Sequence, residues 1–129
     1  MKYIALFYLF FSVMSYGADS CQDITVSDQV FLCAKNKKDA ADEYLNEQYQ
    51  SLLSKVNSEY ANDDLLKREF LSKIKTAQRN WLKFRDTNCE LYSFQIDTKS
   101  QAYQASLNEC IAKMSESRGR ELAVFSNGM

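Results

Sequence analysis

The four cysteines are the residues of this chain whose chemistry is most easily assigned. Cys21, Cys33, Cys89 and Cys110 form an even set, and subtracting their positions gives spacings of 12, 56 and 21 residues. These spacings match neither a Cys-x-x-Cys redox motif nor a common zinc-binding pattern. In an oxidising compartment, such a set is typical of two structural disulfides that leave no free thiol.

Carboxylate pairs are the second candidate for chemistry, because the chain contains no histidine. That absence excludes Ser-His-Asp and Cys-His catalysis and metal sites built on histidine. Two adjacent pairs, Asp63 with Asp64 and Asp42 with Glu43, could be compared with the acid–base dyad of a glycosidase. Neighbouring helical residues point about 100° apart, however, so such pairs cannot flank one glycosidic bond. We therefore predict no enzymatic activity and no cofactor or metal.

A stripe of mixed polarity runs along the middle of the chain, where Gln78, Trp81, Arg85, Cys89 and Tyr92 follow at helical spacing. Polar groups on an inward face must be paired, since a buried unpaired group costs several kcal/mol. Asp42 and Asn46, in the preceding segment, are the natural partners for Arg85 or Arg118. The sequence thus predicts a structural polar network made of Asp42, Asn46, Gln78, Trp81, Arg85 and Arg118. The alternative is that these side chains form a binding face.

The first 17 residues have the features of a secretory signal peptide. Lys2 precedes the apolar run 3–14, and Ser15 and Gly17 provide the small residues that a signal peptidase recognises. The run is shorter than the roughly 20 apolar residues that span a bilayer. The residues before Cys21 do not form a lipoprotein signal. We therefore expect a periplasmic or secreted protein that has neither a lipid anchor at Cys21 nor a transmembrane segment in its mature chain. Residues 18–129 then form one mature domain.

Charge gives little sign of a polyanionic partner. Without Lys2, 15 of the 16 Lys and Arg residues remain against 17 Asp and Glu, a formal charge of −2. No basic block typical of nucleic-acid binding is present, so neither nucleic acid nor an anionic membrane is predicted to bind.

Helices account for the rest of the pattern, because the chain has no proline and only 3 glycines. Apolar residues recur at helical spacing in three segments. The first segment contains the apolar positions between Leu45 and Tyr60, and it extends back to Ser27, a fair N-cap, unless the polar stretch 35–39 contains a break. The second follows a cap at Asn62 or Asp63 and extends to Phe94. The third follows the polar residues 97–101.

These segments predict an all-α fold, an antiparallel three-helix bundle with one long central helix. Cys89 lies near the end of the second helix and Cys110 a few turns into the third, so the intervening turn can bring them together. Cys21 can likewise fold back on Cys33. We prefer the pairs Cys21–Cys33 and Cys89–Cys110 to the two other connectivities.

The chain resembles the lysozyme inhibitor LprI-like N-terminal domain family over most of its mature length. The matching pieces are Cys21 and Cys33, residues 42–49, residues 77–86 with Cys89, the pair Cys110-Ile111, and Arg118 with Leu122. The combination Gln-x-x-Trp-x-x-x-Arg-Asp-x-x-Cys is the most specific. The resemblance implies a helical, disulfide-bridged, non-enzymatic protein that binds a protein partner such as a lysozyme. The alternative is an immunity or envelope-stress protein that binds another periplasmic partner.

One segment departs from the family pattern. Many members have a small-residue turn before the last helix, whereas residues 96–101 here are largely polar. We expect this turn to contact the partner through Asp97, Lys99 and Ser100, with Lys99 or Ser100 pairing with the carboxyl groups of a lysozyme cleft.

Overall fold

The computed structural model describes residues 21–129, and this part of the chain contains three α-helices and no strand. Helix α1 spans Ser27–Glu59, α2 spans Asp64–Tyr92 and α3 spans Gln101–Asn127, with lengths of 33, 29 and 27 residues. The predicted all-α fold is therefore confirmed. The proposed signal peptide, residues 1–17, lies outside the described residues.

The helix boundaries follow from capping interactions. Asp63 caps α2 by accepting a hydrogen bond from the Leu66 backbone nitrogen at 2.9 Å, and Ser100 caps α3 by accepting from Tyr103 at 3.1 Å. Ser27 was predicted to cap α1 but is its first helical residue. The side chain of Gln29 performs the capping, because its Oε1 accepts from the backbone nitrogens of Thr25 and Val26 at 2.6 and 3.2 Å.

Helix α1 continues without a break through the polar stretch 35–39. Lys35 and Asp39 lie one turn apart and form an ion pair at 2.6 Å, an arrangement that supports a solvated helical face. The hydrogen bond from Lys35 lowers the pKa of the Asp39 carboxyl below its ordinary value.

Consecutive helices are antiparallel, so α1 and α3 run parallel to each other. Two hydrogen bonds define the register of these helices: Gln101 donates to Asp28, and Ser115 donates to Asp42. The two residues of each pair are 73 positions apart in the chain. The facing residues are small. Buried in the bundle are Ala34 and Ala41 from α1, and Ala105, Ala112, Ser115 and Gly119 from α3. These small side chains allow the two helix backbones to approach closely.

Helix α2 packs against this pair through larger side chains. The core cluster contains Leu45, Leu52, Val56 and Leu122, and α2 contributes Phe70, Leu71, Ile74 and Trp81 to its border. Tyr60, just after α1, meets Phe70 edge to face with ring centroids 5.6 Å apart. The core therefore lies in the half of the bundle that contains the α1–α2 turn.

The other half of the bundle contains the disulfides. Cys21 pairs with Cys33, and Cys89 pairs with Cys110, with Cα atoms 4.8 and 5.5 Å apart. Both predicted pairs are thus confirmed, and the described residues include no free cysteine. Within residues 21–129, no helix combines the length and apolar character needed to cross a membrane.

Candidate functional site

A polar cluster joins all three helices at the middle of the bundle. Arg85 of α2 donates to Asp42 Oδ1 of α1 at 3.3 Å and to the hydroxyl of Ser115 on α3 at 3.2 Å. Ser115 in turn donates to Asp42 Oδ1 at 3.1 Å. Arg85 also pairs with Asp86 at 2.9 Å. These bonds fix the relative position of α1, α2 and α3 at one level of the bundle.

Trp81 links this cluster to a second arginine one level away. The guanidinium carbons of Arg85 and Arg118 lie 5.6 and 5.8 Å from its ring centroid, within the range of cation–π attraction. Arg118 also donates through Nε to Gln78 Oε1 at 3.2 Å and pairs with Glu121 at 2.8 Å. The indole therefore lies close to two cations, and each of them also forms hydrogen bonds with other side chains.

The structure brings together five of the six side chains predicted for the network. Asn46 is the exception, because it is exposed and pairs with neither arginine. Ser115 occupies the position that sequence reasoning missed, fully buried between Asp42 and Arg85. A signal was available: Ala105, Ala112, Ser115 and Gly119 form a line of small residues at helical spacing, which indicates close helix contact.

Replacement of Arg85 by alanine is expected to lower the free energy of unfolding by about 2 kcal/mol. The side chain is only 13% exposed, so its loss uncovers Trp81 and leaves Asp42 without a cation. Asp42 is 39% exposed, and water therefore screens part of the charge that is left behind. Urea denaturation measures the change.

Arg79→Ala is the matched control for Arg85→Ala, because Arg79 lies on the same helix but is exposed. Its replacement should change the free energy of unfolding by no more than about 0.5 kcal/mol. Equal stability of the two variants would show that Arg85 does not hold the helices together.

The turn between α2 and α3 contains the three residues that the sequence assigned to partner contact. Asp97 Oδ1 accepts from the Lys99 backbone nitrogen at 3.0 Å, and its carbonyl accepts from the Ser100 hydroxyl at 2.6 Å. Ser100 also caps α3. Asp97 and Ser100 therefore shape the turn, while the Lys99 side chain is exposed and forms no ion pair with the described residues.

Large apolar side chains are exposed beside this turn. Leu91 and Tyr92, at the end of α2, are 71% and 73% exposed, and Phe94, two residues after the helix, is 79% exposed. We call this end of the bundle, with the exposed side chains of Leu91, Tyr92, Phe94 and Lys99, the tip surface; adjacent helical residues such as Leu91 and Tyr92 point about 100° apart, so these side chains surround the end of α2. Several large exposed apolar side chains at one end of a small protein commonly mark a protein-binding surface.

The fold and the polar cluster define the class of protein: a small, disulfide-linked three-helix bundle whose central polar side chains connect its helices. The model of the family described as "Lysozyme inhibitor LprI" matches residues 20–122. This chain belongs to that family, as its motifs indicated.

Two similar proteins extend the comparison. An uncharacterized protein of Rhizobium meliloti (strain 1021) is 28% identical over 105 residues, which cover 79% of this chain and 75% of the relative. A DUF1311 family protein of Pseudomonas putida KT2440, known from its crystal structure, is 28% identical and matches with a TM-score of 0.70. That match covers 78% of this chain and 94% of the other.

Proposed function

We propose that this protein is an exported, non-catalytic binding protein that inhibits a cell-wall lytic enzyme, such as a lysozyme, by obstructing its substrate cleft. Membership of the lysozyme inhibitor LprI family supports the activity. Two disulfides support an oxidising location, in agreement with a signal peptide at residues 1–17 and a single mature domain at 18–129.

The tip surface is the observation that carries the proposed mode of binding. It combines aromatic and aliphatic side chains with one unpaired cation, and aromatic residues are enriched in the centres of protein interfaces. Leu91, Tyr92 and Phe94 are each more than two-thirds exposed. A protein partner that covered them would remove a substantial apolar area from water.

The tip surface is also held firmly by the residues below it. Ser93 is fully buried, and its hydroxyl lies 2.7 Å from that of Ser106. The Cys89–Cys110 disulfide joins α2 to α3, and Gln101 donates to Asp28 of α1 at 3.0 Å. A loop ordered before binding loses little conformational entropy when a partner arrives, which favours affinity.

Lys99 provides the electrostatic part of the proposed mechanism. Glycosidases of the lysozyme type use two carboxyl groups that flank the scissile bond. An exposed ammonium group on a protruding turn can pair with such a carboxylate, while the neighbouring Tyr92 and Phe94 contact the apolar walls of the cleft. The enzyme would then be blocked by occupation of its cleft, with no bond made or broken.

Replacement of Lys99 and Phe94 together by alanine should weaken lysozyme inhibition by about tenfold or more, a loss of roughly 1.4 kcal/mol or more in binding. Thermal stability should change little, because both side chains are exposed. Ser100 is left unchanged because it caps α3, and its removal would cost about 1 kcal/mol. A turbidity assay with several lysozyme types measures the inhibition.

The control is Lys83→Ala with Phe125→Ala, an exposed lysine of α2 and an exposed phenylalanine of α3 outside the tip surface. This variant should inhibit as the unchanged protein does. Equal inhibition by both double variants would show that the tip surface does not contribute to inhibition. If the unchanged protein fails to inhibit every lysozyme at micromolar concentration, the immunity or envelope-stress alternative becomes the better hypothesis.

A further inference from the structure

A groove lies between α1 and α2, on a part of the molecule that the proposed function does not use. Its volume is about 520 Å³. Tyr49 of α1 and Lys75 and Arg79 of α2 line the groove, together with the aliphatic side chains of Leu45 and Leu82. The groove is therefore apolar in part and carries cations from one of its two helices.

The charge of the groove is positive. Lys75 and Arg79 form no ion pair with any residue of the described chain, although most other arginines there are paired. Asp42 is the only acidic residue that lines the groove, and Arg85 and Ser115 already engage it. The two free cations thus have no counterion within the groove.

Gln78 adds a hydrogen-bond donor at the same place. The amide is oriented by Arg118, which can only donate and therefore requires the oxygen of Gln78 as acceptor. The Gln78 amide nitrogen is consequently directed away from Arg118 and donates to no other described side chain. Gln78 is buried and lines the groove, so its free donor and the two cations favour an anionic ligand.

The cationic surface continues beyond the groove along α2. A second cavity, of about 290 Å³, shares Lys75 and Arg79 with the first and adds Arg68 and Leu71. Arg68 also lacks an ion pair with the described residues. From Arg68 to Arg79 the helix rises about 17 Å, at 1.5 Å per residue. A ligand that contacted all three cations would therefore be elongated.

We propose that this groove binds an acidic peptide segment of a partner protein, in an extended conformation, with carboxylates at alternate residues. Alternate residues of an extended chain lie about 6.6 Å apart, and residues one helical turn apart, such as Lys75 and Arg79, have Cβ atoms about 5 to 6 Å apart. Carboxylates on one side of the peptide can thus meet successive cations of α2.

The aliphatic residues of the groove distinguish a peptide from an anionic glycan. Leu71 and Leu82 of α2 can contact the methylene groups of the acidic side chains, and the apolar side chains between the carboxylates point to the opposite side of the extended peptide, towards Tyr49 of α1. Sugar rings are commonly bound on exposed aromatic faces, but Trp81 is covered by Arg85 and Arg118. Tyr49 is the single aromatic residue that lines the groove.

Fluorescence anisotropy at low salt tests the proposal with a labelled heptapeptide in which Glu alternates with Val or Leu. The same peptide with Gln in place of Glu is the ligand control. The oxidised protein is compared with Lys75→Ala/Arg79→Ala and with Lys73→Ala/Lys113→Ala. The second variant loses the same charge, but neither of its lysines lines the groove.

We expect the Glu peptide to bind the unchanged protein and the Lys73→Ala/Lys113→Ala variant with similar affinity. Its affinity for Lys75→Ala/Arg79→Ala should be at least about tenfold lower. Binding to the unchanged protein should weaken as salt is added. The Gln peptide should not bind. An equal loss of peptide affinity in both variants, or no loss in either, would show that the peptide does not bind in the groove. Tighter binding of an oligouronic acid than of the peptide overturns the peptide as occupant. Lysozyme inhibition should be unchanged in Lys75→Ala/Arg79→Ala, which separates this site from the tip surface.

Discussion

Replacement of Cys89 and Cys110 together by serine is expected to lower the free energy of unfolding by about 3 kcal/mol. The disulfide closes a loop of 21 residues, and closure of a loop of that size restricts the unfolded chain by about this amount in the chain-entropy model. Both sulfur atoms belong to buried residues, so the serine hydroxyls would also enter an apolar environment. Urea denaturation measures the difference.

The pair Cys21–Cys33 provides the comparison for this prediction. Its loop has 12 residues, and its removal should cost a similar energy in the same model. Loss of Cys89–Cys110 should in addition reduce lysozyme inhibition, because that disulfide supports the tip surface, whereas loss of Cys21–Cys33 leaves the α2–α3 connection intact. A change of less than about 1 kcal/mol for Cys89→Ser/Cys110→Ser would contradict the argument.

The local features of the fold could be predicted because they depend on residues close together in the chain. The cap of α2 was predicted at Asn62 or Asp63, polar residues that precede an apolar helical pattern, and Asp63 is the residue that caps it. The disulfide pairs follow from short separations in the chain, because Cys21 can fold back on Cys33 and the α2–α3 turn can bring Cys89 and Cys110 together. The cap of α1 was wrongly assigned to Ser27, because Gln29 reaches back to the backbone in a way that residue type alone does not indicate.

Contacts between residues that lie far apart in the chain were harder to predict. Arg85 and Asp42 could be paired because each charge on an inward stripe requires a partner. Asn46 met the same criterion, but α1 turns it towards solvent. Ser115 was missed because its role depends on the parallel offset of α1 and α3, which places its hydroxyl between Asp42 and Arg85. That offset is set by the small residues that face each other.

The α2–α3 turn shows a related difficulty. Asp97, Lys99 and Ser100 are all polar and lie in an interruption of the helical pattern, so the sequence treats them alike. Capping and turn hydrogen bonds engage Asp97 and Ser100, which leaves Lys99 as the side chain best placed to meet a partner. The exposed Tyr92 and Phe94 were not predicted as part of this surface, because their positions also suit the edge of a core.

The second large effect is expected at Gly119, where α3 lies against Tyr44 and Leu45 of α1. A Cβ atom at this position would lie 2.6 Å from Cε1 and 2.7 Å from Cδ1 of Tyr44, and 3.5 Å from the Cα atom of Leu45. Gly119→Leu must therefore displace the Tyr44 ring, and the atoms of the leucine side chain beyond Cβ must also be placed beside the backbone of α1. Overpacking of this kind costs roughly 1 to 3 kcal/mol, and we expect a loss near the upper limit because Ser115 lies one turn away and its bond to Asp42 would also be strained.

The variant Gly119→Ala distinguishes the effect of the clash with the Tyr44 ring from the effect of the contact with the α1 backbone. In the unchanged protein, Gly119→Ala should have a small net effect, because displacement of the ring offsets the gain of about 1 kcal/mol in helix propensity. In a Tyr44→Ala background the ring is absent, so the same substitution should stabilise the protein by about 1 kcal/mol. The double-mutant cycle, measured by urea denaturation, isolates the coupling between the two residues. No coupling between them, or a Gly119→Leu variant as stable as the unchanged protein, would show that close approach of α1 and α3 does not require glycine here.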